Sequence, residues 1–337
     1  MVSVHVRPPD EVTSNPPSAP ATDRRHATFA SAISRNNVLL LALLLVAVIV
    51  VGGLLVPRIF QTMNIANVMR MTAIVGLVAL GQTLVLLTGE IDLSLGSLMS
   101  LSLVIGGLAL DAGSGPALAL TCAAGLCLGL VNGIAVTAGR IPSLIVTLGT
   151  LSIYGGLANV VAGGQAKYLY SLDAYLWVGK GDLWGVPVPA VVFLAMVALC
   201  SVVLAFSKAG RVIYYTGASE IAAWYSGISV RAVKVAVFGA AGLLAAIAGP
   251  MFASQTNRIT PTLGVGFELS AIAIAVLGGT ALDGARGSPL GTLMGALIFG
   301  VLLNILSLSG VGSYGEQVLK GALLILIVIV FQNIRRT

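Results

Sequence analysis

Three observations predict an all-α, polytopic membrane protein of about ten transmembrane helices. The chain is 57% hydrophobic and only 9% charged, where an ordinary soluble domain carries about 25% charged residues. Its apolar residues gather in runs of about 20, the length that crosses a bilayer as a helix. Glycine occurs 41 times, as expected where membrane helices approach closely through small side chains.

Taken in order, residues 1–36 run from MVSVHVRPPDEVTSNPPSAP through SAISRNN, rich in Pro, Ser and charge. Without apolar periodicity they are expected to form a disordered cytoplasmic tail. Residues 37–334 are expected to form one transmembrane domain. The first run, VLLLALLLVAVIVVGGLLV, opens at Val38 and lacks a nearby small-residue cleavage site. It reads as an uncleaved first span. Nine more spans are expected at about 70–88, 96–111, 116–138, 143–162, 188–207, 234–253, 268–280, 289–308 and 316–333. DAGSGP, AGRIP, TALDGARGSP and LSGVGSYGE mark breaks between them. Small residues at helical spacing in GTLMGALIFG suit helix packing.

The net charge of +6 reads as topology rather than as a nucleic-acid surface. With the N-terminus inside, twelve Lys and Arg fall in cytoplasmic segments and five outside. The positive-inside rule therefore places both termini in the cytoplasm. Two segments exceed a turn. The outer one, 163–189, carries Tyr and Trp suited to the membrane interface. The inner one, 207–234, contains AAWYSG from Ala222, where small residues let a short helix approach another protein.

Catalysis has little to stand on. The sequence holds no G-x-x-x-x-G-K-[ST], HExxH, CxxC or G-x-S-x-G. Cys122, Cys127 and Cys200 lie in apolar runs, without zinc spacing or a disulfide framework. Both histidines, His5 and His26, sit in the tail. Gln82, Asn132, Asn159 and Asn304 are polar residues within spans, read as interhelical hydrogen bonds.

Four stretches resemble the ribose-type ABC importer permeases, within the branched-chain amino acid and simple-sugar permease superfamily. GEIDLSLGS looks like that family's GGIDLSVGS, and GRVIYYTGASEIAAWYSGISV resembles its GRxIYAxGxNxxAAxxSGI loop. IPSLIVTLGTLSIYGGLANVVAGG and ELSAIAIAVLGGTALDGARGSPLGTLMGALIFGVLLN are similar to two further family runs, in the same order. The resemblance implies the membrane subunit of an ATP-driven monosaccharide importer in the bacterial inner membrane. It implies separate ATP-binding cassette subunits that hold ATP and Mg, so that this chain needs no cofactor. It also implies a second permease copy or paralogue and a soluble periplasmic sugar-binding protein. Gly210, Arg211, Tyr214, Ala222, Ala223 and Gly227 match the ATPase coupling loop. Tyr215, Ser219, Ile221 and Trp224 depart from it and make the loop less polar, which leaves the fitting ATPase open and allows a heterodimer.

In GEIDLSLGS, Gly89 and Gly96 are expected to loosen the helix. Asp92 and Ser94 then cap the third span, or also face the passage and hydrogen-bond sugar hydroxyls, since intramembrane carboxylates mark substrate paths. Glu90 is expected to reach cytoplasmic water. FELS at 267–270, containing Glu268, repeats the type of IDLS at 91–94. The two motifs lie five spans apart, as an inverted repeat of two five-helix halves would place them. An alternative mechanism is a proton-coupled secondary sugar transporter with Asp92 and Glu268 as carriers.

Overall fold

The computed structural model describes residues 25–312 except 170–171, together with 314–318, 320–322 and 325. Only the backbone is described for 25–37. The chain divides into two compact units, 1–36 and 37–337. Within the first, Arg25–Asn36 is helical, inside the stretch expected to be a tail. The rest of that expectation lies outside the described residues, as does most of the tenth span.

The second unit is helical. Among the described residues, seven helices are long and apolar enough to cross a membrane. They are α1 (Arg25–Leu55, through its apolar part Val38–Leu55), α2 (Thr62–Leu87), α4 (Ser114–Gly139), α5 (Ser143–Ala162), α7 (Val188–Phe206), α10 (Val230–Thr256) and α12 (Pro289–Leu308). Two apolar helices are shorter: α3 (Leu95–Gly107) and α11 (Phe267–Leu277). Together these fall on the first nine expected spans.

The short pair corrects the expectation that 96–111 and 268–280 are full spans. Helices of 13 and 11 residues reach about 20 and 16 Å at 1.5 Å per residue, against a hydrocarbon core of about 30 Å. Non-helical backbone at 88–94 and 260–266 precedes them.

Hydrogen bonds fix the directions of these elements. Arg70 near the start of α2 reaches the Lys180 carbonyl at 3.4 Å, and Lys180 donates to Asn257 just past α10 at 2.6 Å. At the other end Glu90, just past α2, pairs with Lys234 in the second turn of α10. The helices α2 and α10 are therefore antiparallel, and Gly81 lets them touch at Ala241. The first turn of α3 meets the approach to α11: a β-carbon at Gly96 would overlap the Glu268 carboxylate and the Gly264 carbonyl. From that meeting the short helices run to opposite ends. Gly107 closes α3 beside Ile259, and Gly278 closes α11 beside Gly291. Long–short–long order recurs in the opposite sense in α2–α3–α4 and α10–α11–α12, the arrangement an inverted repeat gives.

Packing rests on small residues, as membrane helices require where apolar surface alone gives no preference between lipid and protein. Gly125, Gly129 and Gly133 stack at intervals of four along α4, with α10 backbone or β-carbons against them. In α12, Gly295 packs on the Ile274 carbonyl and Gly300 on Thr72.

The 163–189 segment is more ordered than an aromatic belt alone. It contains α6 (Asp173–Lys180), and Lys167–Tyr168 pairs antiparallel with Arg258–Ile259. Tyr175 is buried, whereas Trp177 and Trp184 are exposed. The expected inner loop, 207–234, is mostly helix: α8 (Lys208–Ala218), α9 (Glu220–Tyr225) and the first turns of α10.

Candidate functional site: the half-helix junction and the α8–α9 end

After Leu87 the chain turns through Gly89 at φ +80°, a left-handed geometry that suits glycine. Gly96, by contrast, is needed for close approach rather than for backbone freedom. The segment between them leaves its backbone groups to neighbouring helices. The Ile91 N–H donates to Ser143 Oγ at 3.2 Å, and the Ile91 carbonyl accepts from Thr147 Oγ1 at 3.3 Å. The Gln82 amide, oriented to satisfy both contacts, donates to the Asp92 carbonyl at 2.9 Å and accepts from its N–H at 3.3 Å. Irregular backbone at membrane depth is tolerated when protein groups satisfy it in this way.

Asp92 and Ser94 do not cap α3 as expected. Ser94 occupies the N-cap position, but its hydroxyl makes no capping bond to the helix. Asp92 Oδ1 instead accepts from the Ser94 N–H and from Ser94 Oγ, both at 2.7 Å. This is a local side-chain turn of the kind Asp favours. Ser94 Oγ accepts from Asn132 Nδ2 at 2.7 Å, and the Tyr154 hydroxyl donates to Asn132 Oδ1 at 2.9 Å. Asp92, Ser94 and Asn132 are fully buried.

Glu268 lies on the other side of the junction and is partly exposed. Both carboxylate oxygens accept from the Gly266 N–H, at 3.1 and 3.2 Å. Its place in the first turn of α11 matches the preference of helix N-termini for negative charge. The two acids thus flank one junction without bonding to each other.

The matched loop residues divide by environment. Gly210 accepts the close passage of the Leu204 backbone and donates its N–H to Ser207 Oγ at 3.1 Å. Tyr214 donates its hydroxyl to the Gly287 carbonyl at 2.9 Å, and burial pushes that phenol's pKa up. These two tie α8 to the bundle. Ala223 is buried, whereas Arg211, Ala222 and Gly227 are exposed. The two alanines therefore do not share an outward face. Ile221, Trp224 and Tyr225 make the exposed surface of α9 apolar.

Between α9, the start of α10 and the α4–α5 junction lies a cavity of about 1130 Å³, bordered by Glu90, Arg140, Glu220, Trp224 and Lys234. Lys234 pairs with both Glu90 and Glu220. Glu90 is therefore held by a buried ammonium rather than left to water. The sequence reading missed this ion triad, as it missed the roles of Gln82 and Asn132 beneath Asp92. Of the remaining span amides, Asn304 pairs with Asn64 at 2.9 Å, whereas Asn159 is exposed and bonds the Gly155 carbonyl of its own helix rather than a neighbour as expected.

Comparison with known proteins decides what this bundle is. A family model described as a branched-chain amino acid transport system / permease component matches residues 64–328. The chain belongs to this permease family. The matched range runs from the start of α2 past α12 and holds both short helices and the α8–α9 end. The ribose import permease RbsC of Bacillus subtilis (strain 168) is 40% identical over 279 residues, 82% of this chain and 87% of that protein. The ribose import permease RbsC of Escherichia coli (strain K12) is 36% identical over 82% of this chain and 88% of its own length. The D-allose transport system permease AlsC of the same strain is 31% identical, covering 81% and 85%. No solved structure matches. The permease family accounts for the apolar bundle and identifies the chain as a transport protein rather than a catalyst.

Proposed function

We propose that this permease is the membrane subunit of an ATP-driven importer, translocating a simple sugar delivered by a soluble binding protein. The observation that carries this reading is the 40% identity to a ribose import permease across 82% of this chain and 87% of that protein. The exposed apolar surface of α9 supports it, because a short helix with Ile221, Trp224 and Tyr225 outward suits a groove on a partner. That partner is an ATP-binding cassette subunit, which binds ATP with Mg and docks on the α8–α9 end. A second copy or a paralogue of this chain completes the permease, in the bacterial inner membrane with both termini cytoplasmic.

Asp92 and Ser94 serve here as a clip that holds the first break, since Asp92 Oδ1 and the Ser94 hydroxyl are committed to each other and to Asn132. Glu268, partly exposed at the junction, is the better candidate to face the path.

The test is copurification from membranes followed by ATP hydrolysis with the binding protein, using ribose and D-allose as probes. Sugar-stimulated hydrolysis by an associated ATPase is expected. Uptake that persists without ATP and collapses with an uncoupler would instead establish proton coupling.

A further inference from the structure

We propose that Lys234, bridging Glu90 and Glu220, is the positioning contact that carries movement of α9 into the 88–94 break. This inference rests on the reading of α9 as the ATPase-facing helix. Its three members come from separate segments: Glu90 from the break, Glu220 from the first position of α9, and Lys234 from α10. The Lys234 side chain is 8% exposed and that of Glu90 14%, whereas that of Glu220 is 56% exposed. The contact therefore runs from the surface of the bundle into its interior. One ammonium carries three donors and can hold two carboxylates together. Charges buried as far as Lys234 and Glu90 must stay paired, and Glu220 joins that pair to α9 at the surface.

The flanking backbone is free at one side and tied to three helices at the other. Gly227 follows α9 at φ +80° with open space around it. Beyond Glu90, residues 91–94 are bonded to α2, α4 and α5. A displacement of α9 thus passes through one ammonium to a segment tied to α2, α4 and α5, only two residues from Asp92. Arg140 and Arg231 border the same cavity, placing positive charge beside a triad that carries one excess negative charge.

A purely structural ion pair would affect melting temperature and yield but leave the sugar moved per ATP unchanged. The test therefore uses the full complex in proteoliposomes, with Glu90→Gln, Lys234→Gln and the double variant. Glu90→Gln leaves Lys234 paired with Glu220 and keeps the experiment decisive should Lys234→Gln fail to fold. With whichever of ribose and D-allose stimulates the wild type, each single variant is expected to bind the ATPase and hydrolyse ATP within about twofold of wild type. Sugar moved per ATP should fall about fivefold or more, with the double variant no worse than the singles because all break one contact. Unchanged sugar per ATP in Glu90→Gln, or additive losses in the double variant, would overturn the inference. A wild-type complex without an associated ATPase would instead remove the functional reading on which it rests.

Discussion

The two breaks that precede α3 and α11 face the same physical problem and solve it differently. Both place non-helical backbone next to a half-length helix, where each unsatisfied polar group costs several kcal/mol. The first break borrows its partners: Gln82, Ser143 and Thr147 hold residues 91 and 92, and Asn132 braces Ser94. The second break folds on itself. Leu263 bonds Thr260, Val265 bonds Thr262 and Phe267 bonds Gly264, all backbone to backbone. Among the described residues, its one bond from a helix other than α11 is that between the Gly264 N–H and Ser100 Oγ, at 2.8 Å. In the first break Thr88, Asp92 and Ser94 are buried and Gly89 is exposed, whereas in the second Pro261 and Gly264 are buried and Thr262 and Val265 are exposed. A segment braced from several sides moves only together with its partners, whereas a self-contained turn can move on its own.

The largest expected effect strikes the contact the two regions share. Gly96→Val and Gly264→Val should each destabilise the protein by about 3 kcal/mol, the upper part of the range for overpacking a filled interior. Thermal melting in detergent checks this, and a melt within error of wild type for both would break the account of the junction. A smaller effect separates the breaks. Asp92→Ala strands the Ser94 N–H and should cost about 2 kcal/mol, whereas Glu268→Ala removes a partly exposed acceptor and should cost less than about 1 kcal/mol. Equal losses in the same melt would remove the distinction between the braced and the self-contained break. The smallest effect sharpens it further. Asn132→Leu should cost about 0.6 kcal/mol, the average for an interhelical hydrogen bond in a membrane. Hydrogen exchange should quicken at 91–94 and stay unchanged at 264–266.

Legibility followed the range of the interaction. The expected span at 289–308 coincides with α12, and that at 143–162 with α5, because each is a continuous apolar run between Pro or Gly. The half-length of α3 was harder to see. Leu108 and Leu110 continue its apolar run, although the helix stops at Gly107. Gln82 and Asn132 each looked like a generic interhelical amide, and their partners lie 10 and 38 positions away in sequence. Glu90 and Lys234 are separated by 144 positions, so nothing local to either residue signals the pair.

The sequence by itself determined that this chain is a helical membrane permease, where most spans lie, and that two acid-Leu-Ser motifs stand at 92–94 and 268–270. Composition and run length are properties of each segment alone, and they suffice to choose between water and lipid. Only the tertiary structure decided that α3, which follows the first motif, and α11, which the second opens, are half-length and meet at Gly96 and Gly264. It also decided that Asp92 clips a turn rather than caps a helix, and that one ammonium joins the break to α9. The physical reason is that buried polar groups take whichever partners packing brings near, and packing joins residues that sequence keeps far apart.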